Sequence, residues 1–136
     1  MKLTLWYLLL AFSGCVQLGC VHKPERPIVP ADFSYPAVGQ NVELSEPLTA
    51  SRVSGKVLDP NGDPVNRALV EVTTADWSQR VSATFTDESG YFDFSSLGPG
   101  EYPIRVTKPG FAPLLGKIRV SKSGPKSVNL NLHVAT

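Results

Sequence analysis

Apolar and polar residues alternate in short runs from Ser51 to the C-terminus, with turn-forming residues between the runs. A period of two sends successive side chains to opposite faces of an extended chain, so each run predicts a half-buried β-strand. Val53 and Val57 share one face, with Gly55 between them. Asp59-Pro60-Asn61-Gly62-Asp63-Pro64 then turns the chain, because Asn61-Gly62 tolerates positive φ. Ala68, Val70 and Val72 form the next inward face, and Trp77 falls in the loop after it. Val81, Ala83 and Phe85 alternate again, and after the turn Thr86-Asp87-Glu88-Ser89-Gly90 come Phe92 and Phe94. Leu97-Gly98-Pro99-Gly100 leads into Tyr102, Ile104 and Val106. Pro103 cannot donate a ladder hydrogen bond, which places this fifth strand near an edge or a bulge. Leu115, Ile118 and Val120 make the sixth strand, irregular at Gly116, and Val128, Leu130, Leu132 and Val134 the last.

Seven short strands with turn chemistry in every gap predict an all-β fold, a single seven-stranded β-sandwich over residues 51–136. No window carries a helical stripe. The outward partners are Ser, Thr, Lys, Arg, Asn, Asp and Glu, as a solvated face requires.

The pattern before Ser51 is different. Lys2 precedes an apolar run from Leu3 to Phe12, too short for a bilayer span of about 20 residues but right for the core of a signal peptide. Phe12-Ser13-Gly14-Cys15 resembles the bacterial lipobox, in which small residues precede a cysteine that is lipidated and becomes the mature N-terminus. Gln17-Leu18-Gly19-Cys20 is the alternative, with polar Gln17 where an apolar residue is expected. The reading is thus a lipoprotein signal peptide over 1–14 and a lipid anchor on Cys15, or else on Cys20. One acyl chain binds a membrane only marginally, and two or more anchor it stably. Val16 after the cysteine favours the outer membrane in a cell that has one, and the expected location is the cell envelope. Pro24, Pro27, Pro30, Pro36 and Pro47 mark residues 15–50 as the lipidated N-terminus and an extended linker. The segment 33–44 reads as part of a plain tether, with docking as an extra edge strand the alternative.

Composition narrows the function. Thirteen basic residues face twelve acidic ones, so no electrostatic footprint for nucleic acid exists. Both cysteines precede residue 21, which leaves the sandwich without a disulfide or thiolate metal site. Its stability has to come from buried apolar area.

Several motifs occur in order. They are Val53-Ser54-Gly55-Lys56-Val57-Leu58-Asp59, Gly62-x-Pro64-Val65 with Ala68-x-Val70, Thr86-Asp87-x-x-Gly90-Tyr91-Phe92-x-Phe94, Leu97-x-Pro99-Gly100-x-Tyr102-x-Ile104-x-Val106, and Gly110-Phe111. Together they resemble the carboxypeptidase regulatory-like domain over residues 51–134. Asn66-Arg67 departs from the pattern where that family often has glycine. The resemblance implies a prealbumin-like sandwich in an accessory role, structural or adhesive.

Chemistry known on related sandwiches finds few residues here. Transthyretin-like hydrolases use paired histidines, and intradiol dioxygenases bind iron through two tyrosines and two histidines. This chain has His22 and His133 alone. Lys56 and Asn129 or Asn131 invite comparison with a Lys–Asn isopeptide bond, but the acid it needs is replaced by Val106 and Thr107, and Lys56 alternates outward. Asp59, Asn61 and Asp63 are spaced like the start of a calcium loop, yet no bidentate Glu follows and turn chemistry explains them. No catalytic residues, cofactor or metal are therefore expected. Trp77 and Tyr91 are the candidate ligand contacts, since loop aromatics stack on sugars or anchor proteins; the structural alternative for Trp77 is to cap the end of the core. The expected role is a non-catalytic, lipid-anchored envelope module, structural or protein-binding, with a carbohydrate- or peptidoglycan-binding module as the alternative. Its expected partners are the membrane and an envelope protein or glycan.

Overall fold

The computed structural model describes residues 40–136, and within them the chain is all β. The signal peptide, Cys15, Cys20, His22 and the linker up to residue 39 lie outside the described residues. The strands are β1 (Val42–Glu43), β2 (Leu48–Ala50), β3 (Val53–Leu58), β4 (Leu69–Thr73), β5 (Arg80–Phe85), β6 (Tyr91–Phe94), β7 (Gly100–Thr107), β8 (Phe111–Ala112), β9 (Leu114–Val120), β10 (Val128–Asn131) and β11 (His133–Val134). The larger sheet runs β1-β9-β7-β4-β5, with β2 also on β9; a smaller one runs β10-β3-β6, and β11 pairs with β8. Every one of the seven runs read from the sequence contains a strand.

The two main sheets face each other across one apolar cluster. Val53, Val57, Phe92, Phe94, Val128 and Leu130 contribute from the smaller sheet, and Val70, Val72, Ile104, Val106, Leu114, Ile118 and Val120 from the larger. Phe92 and Phe94 meet edge to face at 6.3 Å. Gly55 lets β3 and β10 approach closely. A Cβ there would stand 2.0 Å from the Val128 carbonyl oxygen, so the parallel β3–β10 pairing requires glycine.

Five expectations are corrected. First, the docked edge strand, the alternative for the segment before Ser51, holds from Val42 on. Val42–Glu43 and Leu48–Ala50 both pair in parallel with β9, so the fold begins before Ser51. From Val42 to Leu48 the edge advances six residues while its β9 partners, Leu114 and Ile118, advance four. The surplus arches out around Ser45–Pro47.

Second, Val81, Ala83 and Phe85 do not face the interior. Phe85 pairs with Leu69 and Ala83 with Glu71, on the opposite side from Val70 and Val72. Val81 is the extra residue of a bulge between the pairs Val72–Ser82 and Thr73–Arg80, which leaves it 59% exposed. Phe85 is covered by the Arg67 guanidinium, 5.6 Å from the ring centroid.

Third, Pro103 does not mark an edge. β7 lies between β9 and β4, and the ladder to β4 ends at Ile104, the residue that follows the proline. Fourth, Leu114 rather than Leu115 points inward on β9, because Gly116 opposes Ile104 and sets the register. Fifth, Val134 is exposed: the last run splits after Asn131, and His133–Val134 leave β3 to pair with β8.

Candidate ligand-binding site

The side of the larger sheet turned away from the interior is not a plain solvated face. Register places Leu69 opposite Thr107, Glu71 opposite Arg105 and Arg105 opposite Leu115, all on this side. Glu71, Thr73 and Thr107 are buried there, although alternation marks them as outward and solvated.

Glu71 is 1% exposed. A carboxylate so desolvated persists only when paired on both oxygens. Arg80 donates to Oε2 from Nε at 2.8 Å and from Nη2 at 2.7 Å. Arg105 donates to Oε1 from Nε at 3.0 Å and from Nη2 at 2.8 Å. Both carboxylate oxygens of Glu71 are thus held by guanidinium groups. Arg105 keeps 35% of its side chain in contact with solvent.

Beside this triad stands Trp77, held by the β4–β5 loop. The loop is laced by its own polar groups. The Thr74 N–H donates to the Gln79 carbonyl at 2.9 Å and the Trp77 N–H to the Thr74 carbonyl at 2.9 Å. Asp76 Oδ1 accepts from Thr74 Oγ1 at 2.5 Å, from Ser78 Oγ at 2.7 Å and from the Ser78 N–H at 3.1 Å. Those bonds, the Thr74 hydroxyl first, hold the Asp76 carboxyl down at about 2, against an ordinary 3.8. Trp77 itself sits at φ 62°, a left-handed conformation that costs a bulky residue about 1–3 kcal/mol. The hydrogen bonds on either side of it hold that conformation.

Two hollows share Trp77 and Leu115 in their linings and are taken together as two lobes of one groove. The first, about 250 Å³, is lined by Thr73, Arg105, Thr107, Pro113, Leu115 and Asn41. The second, about 310 Å³, lies under the Ser45–Pro47 arch and includes Glu43, Glu46, Leu115 and Lys117. Thr107 is 3% exposed, and its Oγ1 has no hydrogen-bond partner among the described residues.

Of the sequence-predicted contacts, Trp77 lines this groove and does not belong to the interior cluster. Tyr91 lies elsewhere: it opposes Lys56 on the outward side of the smaller sheet, so the two aromatics are not brought together. Lys56 and Asn129 are register partners, both exposed. Asp59 Oδ1 accepts from the Asn61 and Asp63 N–H groups at 2.8 and 2.9 Å, closing the turn. His133 is exposed on β11, and no cluster of three or more His, Cys, Asp or Glu occurs among the described residues. Sequence reasoning missed Glu71, Arg105 and Thr107. No local signal marks them, since Arg80 and Arg105 reach Glu71 from nine and 34 residues away.

The profile of one protein family, the carboxypeptidase regulatory-like domain, matches residues 52–133. No curated protein matches the sequence. Among solved structures, hydroxyquinol 1,2-dioxygenase from Pseudomonas putida is 15% identical, with a TM-score of 0.44 over 79% of this chain and 64% of that one. The 3-chlorocatechol 1,2-dioxygenase of Rhodococcus opacus is 11% identical, with a TM-score of 0.42 over 78% of this chain and 71% of that one. Catechol 1,2-dioxygenase from Acinetobacter is 13% identical, with a TM-score of 0.42 over 80% of this chain and 62% of that one.

Proposed function

Since the chain belongs to the carboxypeptidase regulatory-like domain family, we propose that it is a non-catalytic binding module, held in the cell envelope by a lipid on Cys15. The observation that carries the binding role is the groove on either side of Trp77, whose loop keeps an aromatic side chain in a left-handed backbone conformation. Strain of that kind collects at ligand contacts. An apolar wall of Trp77, Pro113 and Leu115 stands beside Thr73, Thr107 and Asn41, the mixture that receives the apolar face and polar edge of a sugar ring. An extended peptide instead adds to a sheet edge through backbone hydrogen bonds. The groove takes in a sheet face as well as the edge strand β1, and its aromatic and hydroxyl side chains favour a glycan over a protein strand.

Two experiments test the two halves of the proposal. Intact-mass spectrometry of the mature protein from its native membrane is expected to show loss of residues 1–14 and a lipid adduct on Cys15. An unmodified Cys15, or retention of residues 1–14, overturns the anchor. A glycan array probed with the full chain in detergent is expected to give binding that Trp77→Ala removes. A blank array, or binding indifferent to that substitution, overturns the glycan role and returns the module to a structural or protein-contacting one.

A further inference from the structure

We propose that the first lobe of this groove receives the acetamido group of an N-acetylated pyranose, whose carbonyl oxygen accepts from the Thr107 hydroxyl. The inference rests on the glycan-binding reading and adds the substituent that the sugar carries.

Thr107 is where the lobe is incomplete. A buried hydroxyl is nearly always hydrogen-bonded, and one left alone costs stability. Thr107 lines the lobe and is 3% exposed, and its Oγ1 has no partner among the described residues. Its polar neighbours along the lobe are engaged. The Thr73 hydroxyl donates to the Thr74 carbonyl at 3.1 Å, and Arg105 gives Nε and Nη2 to Glu71.

Register shows what flanks that hydroxyl. Thr107 pairs with Leu69 on one side. On the other, the pair Val106–Leu114 sets Pro113 beside it, and the pair Val42–Leu114 sets Asn41 beyond Pro113. The row across the strands therefore reads Leu69, Thr107, Pro113, Asn41. It begins at a buried leucine and ends at an exposed amide, and Leu115 and Trp77 complete the apolar wall. One unanswered polar atom thus stands between two apolar neighbours.

Three common pyranose substituents could answer it. A carboxylate would bring a charge into a desolvated spot that offers it one neutral donor, which is costly. A ring hydroxyl has a proton and lone pairs to place, and a single partner leaves part of that capacity unmet. An acetamido group divides as the lobe does. Its carbonyl accepts from Thr107, its methyl lies against Pro113 and Leu115, and its N–H turns to the open end, where Asn41 offers an acceptor. The ring then stacks on Trp77.

The test is calorimetric titration of the full chain in detergent with two disaccharides of the same β-1,4-glucose skeleton: cellobiose, and N,N′-diacetylchitobiose, which differs from it by an acetamido group on each ring. N-acetyl-alanine amide supplies the acetamido group without a sugar. Diacetylchitobiose should bind at least about tenfold more tightly than cellobiose, the worth of one hydrogen bond and one buried methyl group. Thr107→Val should bring that ratio near one, and Thr107→Ser, which restores the hydroxyl, should recover most of it. Neither the free protein's hydrogen bonds nor its melting temperature should suffer in Thr107→Val, so a folding defect is not mistaken for loss of a contact. Trp77→Ala should weaken both sugars about tenfold. Equal binding of the two disaccharides, or a preference that Thr107→Val leaves intact, overturns the acetamido contact while the glycan role stands. No binding of either disaccharide overturns both. N-acetyl-alanine amide binding as tightly as diacetylchitobiose shows an acyl site indifferent to the sugar and overturns the saccharide.

Discussion

Replacing Glu71 by glutamine tests whether the triad beneath the groove holds the larger sheet together. The substitution keeps the shape of the side chain and removes its charge. Four N–H groups of Arg80 and Arg105 then face a neutral amide, which accepts through one oxygen and presents its own NH₂ to the second guanidinium. Breaking a fully buried ion pair costs about 3–5 kcal/mol. Here Arg80 is 14% and Arg105 35% exposed, so water recovers part of the loss, and about 2–4 kcal/mol is expected. At roughly 4–8 °C per kcal/mol for a domain of this size, the melting temperature falls by about 8–32 °C. Thermal unfolding followed by circular dichroism reads this directly. Arg105→Gln leaves Arg80 to neutralise Glu71 and should cost less, about 1–2 kcal/mol. The double variant completes a cycle whose coupling energy should reach about 1–3 kcal/mol. A Glu71→Gln protein melting within a few degrees of the parent would refute the reasoning, because the carboxylate would then contribute no more than a surface charge.

Other substitutions separate interior from surface. Gly55→Ala drives a methyl group into the Val128 carbonyl and should cost at least about 1–3 kcal/mol, read as a shifted urea midpoint with an unchanged slope. Phe92→Ala should cost about 3–5 kcal/mol, while Val81→Thr on the bulge should stay within about 0.5 kcal/mol, although alternation treats both positions as interior. Asp76 supplies the pH dependence. Its folded pKa lies below its unfolded one, so its support of the Trp77 loop is complete above about pH 4 and is lost as pH falls through about 2. Backbone amide resonances of Ser78 and Gln79 should shift across that window and stay flat through it in Asp76→Asn.

The strands were legible because the interior enforces a period of two: Val53 and Val57, Val70 and Val72, Ile104 and Val106 alternate as they pack. The pattern failed where pairing is set from a distance. The turn from β9 inward at Leu114 rather than Leu115 follows from Gly116 meeting Ile104, a register that neighbouring residues do not announce. The bulge at Val81 shifts a strand by one residue, and one residue inverts every side chain after it. β1 and β2 were obscured by Pro47 and by shortness, since two or three residues cannot display a period. Of the site, Trp77 was legible as a loop aromatic in an otherwise polar turn. The triad was not, because the sequence shows one acidic and two basic residues at outward positions, and their convergence exists only once β4, β5 and β7 lie side by side.

The parallel pairing of β1 and β2 with β9 bears on how the domain carries load. Parallel strands pulled from one end resist by sliding, and all their hydrogen bonds share the force together instead of opening one by one. Val42 leads the chain into that ladder and Leu115, its floor residue, belongs both to β9 and to both lobes. Under the proposed lipid anchor and glycan contact, a pull between the two would load the β1–β9 ladder along its strands.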